Sequence, residues 1–407
     1  MSAQLIVAGL DLGAHAIKCV IGLHHDDGQL DIIGTGSHPA RGFQNGVVSD
    51  RQLAVKSIKA AVGEASLMAD VEIKEVFLSV SARHLESFNS HGMARILEDA
   101  VSAEDLHAVI DMACAVKLPA EQQILHVIPQ EYVVDGRGGI ANPLGARGVR
   151  LEAQAHLVTG HLARLEGLEA CCRQAKLSVI DALYSPLVQG EALLTTHARD
   201  VGVILLDIGS DTTEMSVFEG GSIVHSAVWG IGGERITLDI KDLLSTPTVE
   251  AEHLKQVHGC ALTDMIKEGE VTSVPGVGGR KSREIERRYL CEIIEARAEE
   301  ILHIVAEELE QLGCAEGFPG GVVLTGGTAN LAGMVELTEQ VLGVPAARGE
   351  PIGLHGLVDV VRNPRYATAT GLVRSGVQYK HLQWFSSRQV RLKRRGARKS
   401  FRFWGRA

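Results

Sequence analysis

Aromatic residues make up 4% of the 407 positions, so any core must be built mainly from aliphatic side chains. The seven cysteines are scattered and odd in number. Cys171 and Cys172 are adjacent, a spacing that suits neither a zinc knuckle nor a Cys-x-x-Cys redox pair, and reduced thiols are expected. No run of 18 apolar residues exists, which excludes a membrane-spanning helix of ordinary length. The opening Met1-Ser-Ala-Gln-Leu-Ile-Val lacks the basic head and long apolar stretch of a secretory signal. The most informative absence is acidic: no Asp or Glu follows Asp359. The first 359 residues carry 27 basic and 50 acidic residues, whereas the last 48 carry 13 basic residues and none of opposite sign. An acidic body with a basic tail predicts a tail that meets an anionic surface.

Glycine is plentiful, at 45 residues, as expected for an α/β protein with many tight turns. The length implies two or more domains. Leu5 to Leu10 reads as a strand, Asp11-Leu-Gly13 as a turn, Lys18 to Leu23 as a return strand, Asp27-Gly28 as a hairpin, and Leu30 to Ile33 as a third strand. The same order recurs 196 residues on. A strand runs into Asp207-Ile-Gly209, Glu214 to Phe218 returns, Gly220-Gly221 turns, and Ile223 to Val228 follows. Duplication predicts two related lobes, each offering one carboxylate and one glycine turn to a shared cleft.

Glycine turns let backbone N–H groups approach phosphate oxygens, and strand-end carboxylates hold hydrated magnesium. Lys18 supplies a cation. A third element, Gly321 to Gly333, reads as a strand followed by the Thr325-Gly-Gly-Thr turn, which permits close approach of a base and ribose.

These three motifs resemble the two phosphate segments and the adenosine segment of the actin-like ATPase superfamily. Within it the chain resembles the FtsA family of bacterial cell-division proteins. The most specific parts are His126-Val-Ile-Pro-Gln-Glu-Tyr-Val-Val-Asp-Gly136, Asn142-Pro-Leu-Gly145, Gly148-Val-Arg-Leu-Glu152, Val274-Pro-Gly-Val-Gly-Gly-Arg280 and the basic aromatic C-terminus.

The resemblance implies an α/β, actin-like two-lobed fold of duplicated mixed sheets around a nucleotide cleft, with an FtsA-type α+β insert. It divides the chain into a first lobe (1–83), the insert (84–162), the first lobe again (163–200), and a second lobe (201–246). An FtsZ-contacting subdomain (247–317), the second lobe again (318–365), a closing helix of the first lobe (366–380) and a linker with a membrane-targeting tail (381–407) complete it. Within the insert, strands are expected at Met93 to Leu97, Tyr132 to Val134 and Ala153 to Val158, with a helix over Ala103 to Ala115.

By the same resemblance, ATP and Mg are the expected ligands. Asp11 and Asp207 are the carboxylates that hold magnesium through water. Gly13, Lys18, Gly209 and Thr212 sit in the phosphate turns, Gly232 and Gly233 form a glycine pair near the phosphates, Glu252 and Lys255 clamp the purine, and Gly326 and Gly327 form the adenosine turn. Three positions depart from efficient ATPases. Ala14 replaces a hydroxyl residue, Ser210-Asp211 replace two glycines, and Ser185 stands where chaperone relatives have a glutamate, with Gln189 and Glu191 out of register. Turnover well below about ten per second is expected, with nucleotide acting as a conformational and assembly ligand.

The implied role is that of an adaptor on the cytoplasmic face of the cell inner membrane, peripheral and at the division site. It self-assembles into filaments, grips the C-terminal tail of FtsZ, binds anionic lipid and recruits later division proteins through the insert. A sugar-kinase-like phosphotransferase and a type IV pilus protein of the same fold are the alternatives. Leu290, Ile294, Ala298, Ile301, Val305, Leu309 and Leu312 form one apolar helical stripe. Arg283, Arg287, Arg288 and Arg297 lie near its start or off it, and form either a dock for the acidic FtsZ tail or a solvated face paired with Glu284, Glu286 and Glu295.

In the tail, Ala397, Phe401 and Trp404 share a helical face, with Arg398, Lys399, Arg402 and Phe403 around them and Trp384-Phe385 upstream. That is the pattern of a short interfacial helix, preferred here over a nucleic-acid-binding tail.

Overall fold

The computed structural model describes residues 5–44, 46–81, 85–279, 281–314 and 318–386. The first strand, β1 (Leu5–Leu12), carries consecutive apolar residues because it lies between two covered faces. It pairs antiparallel with β2 (Ala16–His24), which pairs with β3 (Leu30–Pro39). The Asp27-Gly28 turn joins them with Gly28 at a φ of 88°, in the left-handed region that glycine favours. A two-residue ladder, β4 (Phe43–Gln44) with β5 (Val47–Val48), leads into α1 (Arg51–Ala69). Asp50 caps that helix, accepting from the backbone N–H groups of Gln52 and Leu53. Strand β6 (Glu75–Val80) then joins β1 in parallel.

The chain next builds the insert from β7 (Glu86–Arg95), α2 (Ala103–Ala113), β8 (Gln122–Val134), β9 (Arg137–Ile140) and β10 (Arg150–His161). Its four-stranded sheet runs β7-β10-β8-β9. Helix α2 starts with a reciprocal capping box between Ser102 and Asp105, and buries Val109, Ile110 and Ala113 against Leu151, Ala153, Ala155 and Leu157 of β10. Strand β7 starts earlier than the sequence pattern suggests, and Leu97 falls beyond its end. Its first half, Glu86-Ser-Phe-Asn-Ser-His91, is too polar to show apolar alternation: Ser87 and Asn89 bond to the second lobe, and Ser90 and His91 to Ala113 and Glu152 within the insert.

Helix α3 (Leu162–Gln174) and β11 (Ser178–Tyr184) return to the first lobe, and α4 (Ser185–Leu193) with α5 (Thr196–Val201) lead out of it. The second lobe repeats the opening pattern. Strand β12 (Val203–Ile208) pairs antiparallel with β13 (Thr213–Glu219), which pairs with β14 (Ser222–Trp229). Helices α6 (Gly233–Leu244) and α7 (Thr248–His258), a hairpin of β15 (Val271–Val274) with β16 (Arg283–Glu286), and the 25-residue α8 (Arg287–Gln311) follow. Of the expected stripe, all but Leu312 is buried.

The lobe is completed by β17 (Val322–Thr325), parallel to β12, then α9 (Met334–Leu342) and β18 (Ala346–Arg348). Strand β19 (His355–Gly356), α10 (Val358–Val361) and α11 (Ala367–Ser386) bring the chain back to the first lobe. The two main sheets run β11-β6-β1-β2-β3-β19 and β14-β13-β12-β17-β18.

The insert is tied to β14 by side chains. Asn89 donates to the Val224 carbonyl at 2.9 Å, Ser87 to that of Ser226 at 2.8 Å, and Gln130 to those of Ile223 and Val224 at 3.1 and 3.2 Å. Behind them His156, 1% exposed, lies 2.7 Å from Asn89 Oδ1 and 2.8 Å from Ser226 Oγ. Burial, with His225 nearby, lowers its pKa from 6.5 to about 4. The unfolded chain therefore takes up a proton below about pH 6.5 that the folded chain refuses until about pH 4. Stability should fall as pH drops through that window, by at most about 3 kcal/mol. The stability gap between the wild type and His156→Gln, measured by urea unfolding, is expected to narrow from pH 7 to pH 4.5. A constant gap would show that His156 does not set this dependence.

Candidate functional site

Duplicated topology places two carboxylates face to face. Asp11 and Asp207 each lie one residue from the end of their strands, β1 and β12; each strand then turns through glycine, and a cleft of about 460 Å³ is lined by both. In the first lobe, Asp11 stands across the ladder from Lys18, and Lys18 Nζ lies 3.1 Å from Asp11 Oδ2. Ser79 at the end of β6 donates to the other carboxylate oxygen at 2.9 Å. In the second lobe the equivalent register pairs Asp207 with Glu214. Glu214 is 4% exposed, accepts from Ser81 of the opposite lobe and lies 3.4 Å from Thr212 Oγ1, and its Oε2 has no partner among the described residues. Burial pushes both the Asp207 and Glu214 carboxyls above the ordinary range, Glu214 further because Asp207 stands beside it.

The glycine turns do distinct jobs. The Gly13 and Gly209 turns line the cleft, and the Gly209 N–H donates to the Thr212 carbonyl at 2.9 Å. The Gly209 carbonyl receives the Gly233 N–H at 2.9 Å and the Thr328 hydroxyl at 3.2 Å, which locks the phosphate-type turn to the start of α6 and to the Thr325-Gly-Gly-Thr turn. A Cβ at Gly232 would lie 2.5 Å from the Ser210 carbonyl, so the glycine pair is required by that packing. Gly326 and Gly327 were both expected to admit a base. At Gly326, φ is 87° and a Cβ would lie 2.2 Å from Asp207 Oδ1, so this glycine serves the carboxylate. Nothing lies within 4 Å of a Cβ at Gly327, which keeps the open side.

Glu252 and Lys255 line the same cleft and pair at 2.8 Å. Lys255 also donates to the Gly233 carbonyl at 2.9 Å and Thr237 Oγ1 at 2.8 Å, and Thr237 donates to Glu252. Burial raises the Glu252 carboxyl, but Lys255 and these hydrogen bonds outweigh it and hold the pKa below the ordinary value. Asp211 lines the cleft and, with burial, raises the carboxyl of Glu234.

Ser185 sits at the start of α4 and donates to the Val80 carbonyl at 3.2 Å. Glu191 is taken up by Arg199. Gln189, one turn beyond Ser185, reaches Asp207. Glu214, Ser79, Ser81 and Gln189 are therefore site residues that motif reading missed. Glu214 was findable, since it holds in the second copy the ladder position of Lys18. The donor set fits a hydrated divalent cation: carboxylate oxygens converge from two lobes, and Glu214 Oε2 lies buried without a partner among the described residues.

The four arginines are not one free cluster. Arg283 donates to the Leu244 carbonyl at 2.6 Å, Arg287 to the His258 carbonyl at 2.8 Å and to Glu270 at 2.6 Å, and Arg297 to Asp239 at 2.5 Å and to Glu300. Arg288 is half-exposed, 3.5 Å from Glu292. The partners expected from the sequence, Glu284, Glu286 and Glu295, are not the ones used; Glu295 instead accepts from the Thr263 N–H at 3.2 Å. Trp384 and Phe385 fall in the last turn of α11, and Arg398, Lys399, Phe401, Arg402, Phe403 and Trp404 lie outside the described residues.

A family model described as cell division protein FtsA matches residues 204–371, and one described as the SHS2 domain inserted in FtsA matches residues 82–159. The cell division protein FtsA of Pseudomonas aeruginosa is 41% identical over 377 residues, covering 93% of this chain and 90% of that one. That of Escherichia coli K12 is 37% identical over 378 residues, covering 91% and 90%. Among solved structures, a PilM-PilN type IV pilus biogenesis complex superposes with a TM-score of 0.68 at 17% identity, covering 91% of this chain and 98% of the other. MreB5 of Spiroplasma citri bound to ADP does so with 0.56 at 11% identity, covering 94% and 98%. The structural likeness shows an actin-like α/β fold, and the sequence relatives show more: the chain belongs to the FtsA family of cell division proteins.

Proposed function

We propose that the cleft binds ATP with magnesium, and that the chain is an adaptor that assembles with itself and tethers FtsZ to the inner face of the cytoplasmic membrane. The observation that carries the nucleotide reading is the pair of carboxylate-bearing glycine turns, one per lobe, converging on one cavity. Asp11 and Asp207 hold magnesium through water, and Lys18, the Gly13 and Gly209 turns, Thr212 and the start of α6 at Gly232-Gly233 face the phosphates. Glu252 and Lys255 face the purine, with Gly327 opposite. Bound magnesium would screen the phosphate charge. Hydrolysis is slow in this reading, because the Ser185 hydroxyl is committed to the Val80 carbonyl in place of a longer water-orienting side chain, and Asp211 adds charge of the wrong sign. The nucleotide then works by setting lobe closure, which supports filament formation, and the insert receives later division proteins.

FtsZ docks, in this proposal, along the start of α8, where half-exposed Arg288 and Tyr289 stand clear of the core. Of the four arginines, Arg288 is the one left for an acidic tail to meet, since the other three are held within the chain by shorter bonds. Arg288→Glu is expected to weaken binding of an FtsZ tail peptide several-fold with little change in melting temperature. Equal binding would move the dock elsewhere.

Among the described residues no helix is long and apolar enough to cross a membrane, and the basic C-terminal segment is the proposed anchor. The anchor test needs a cut that spares α11, because Val377 is buried and Tyr379 packs edge-on against Phe77 at 5.5 Å. Truncation after Ser386 is expected to abolish pelleting with anionic liposomes while FtsZ-peptide binding persists. Continued pelleting, or a preference of the full chain for DNA over liposomes at equal salt, would refute a membrane tail.

A further inference from the structure

We propose that Gln189 is a positioning residue: its side-chain amide fixes the Asp207 carboxylate for metal binding and ties it to the first turn of α11. The inference rests on the nucleotide reading and concerns a residue outside the motif set. Gln189 is 1% exposed on α4. Its Nε2 donates to Asp207 Oδ2 and, at 2.8 Å, to Thr368 Oγ1. Both amide hydrogens are thereby used, one on the carboxylate and one on the closing helix. The acceptor Oε1 has no partner among the described residues. An amide turned the other way would set its oxygen against a carboxylate oxygen, so the donor orientation is the one that charge permits.

The neighbours leave Asp207 few other restraints. Gly326 abuts Oδ1 with no side chain of its own, and Glu214 across the ladder is a second carboxyl. Gln189 is the neutral donor that keeps the carboxylate aimed into the cleft. Thr368 itself lines the cleft. The Asp207–Gln189–Thr368 chain of hydrogen bonds thus joins the second lobe, α4 and α11 at one point. A partner that orients a metal-binding carboxylate typically contributes 10- to 100-fold to metal affinity.

The test is a titration of the full chain with a fluorescent ATP analogue, in excess Mg and in EDTA. The wild type should bind more tightly with Mg. In Gln189→Leu that Mg-dependent gain should shrink by about 10-fold, while affinity in EDTA stays within about twofold. Thr368→Val, which frees the amide from its anchor, should shrink the gain in the same direction by less. A merely structural role would lower both affinities together or only the melting temperature. If Gln189→Leu does not fold, Thr368→Val decides. A full Mg-dependent gain in the folded variants would overturn the proposal. No Mg-dependent gain in the wild type would overturn the nucleotide reading itself.

Discussion

Asp207→Ala is expected to weaken binding of Mg-ATP by roughly 100-fold while leaving the fold intact. The carboxylate proposed to hold the metal's water is removed, and a lost bond to a charged group is worth about 1.5–3 kcal/mol. Stability should move the other way or not at all. Asp207 and Glu214 are adjacent carboxyls, both raised by burial, and removing one relieves the other. The freed Gln189 amide offsets part of that gain. The signature is thus poor binding with a melting temperature no more than about 2 °C below wild type. Wild-type affinity for a fluorescent ATP analogue in Mg would remove the site proposed here.

Gly371→Val should strongly damage the fold itself. A Cβ at this position of α11 would lie 2.0 Å from the Val188 carbonyl oxygen and 2.5 Å from its carbon. Both atoms are α4 backbone, which cannot rotate aside as a side chain can. The two helices must separate, at a cost of about 3 kcal/mol, and the melting temperature should fall by roughly 3–4 °C. Val188 precedes Gln189, so the same displacement should loosen the hold on Asp207 and weaken Mg-ATP binding. Gly63→Ala in α1 is the matched control, because nothing lies within 4 Å of a Cβ there. That change should stabilise by about 0.5–1 kcal/mol. Equal thermal stability of the two variants would mean that the α4–α11 crossing is not the tight contact described.

What could be read from the sequence was what repeats. The strand-turn-strand order around Asp11 and Asp207 is a local pattern, and the structure forms it twice with matching register. The buried stripe of α8 was legible for the same reason: periodicity depends on near neighbours in the chain. Contacts made across the fold were not. The distance from Ser81 to Glu214, or from Gln189 to Thr368, is a matter of how lobes meet, and no spacing encodes it. The arginines show the same limit. They are near one another along the chain, yet the partners Leu244, Glu270 and Asp239 come from other elements and hold three of the four. Gly326 and Gly327, adjacent and identical, differ in backbone angle, φ 87° against -66°, and in what a side chain would strike.

The hydrogen bonds from the insert to β14 have a further consequence for how this chain is able to aggregate. β14 is the outermost strand of the second lobe's sheet, and an unprotected outer strand is a template on which another polypeptide can add. Here its carbonyls at Ile223, Val224 and Ser226 already accept from Gln130, Asn89 and Ser87, so that stretch of the rim is occupied without a further strand. The opposite rim, β18, is three residues long. A protein proposed to line up copies of itself in filaments thus offers little backbone for runaway cross-β growth from this sheet. Contacts between copies made at this sheet would then run through side chains, which come apart again.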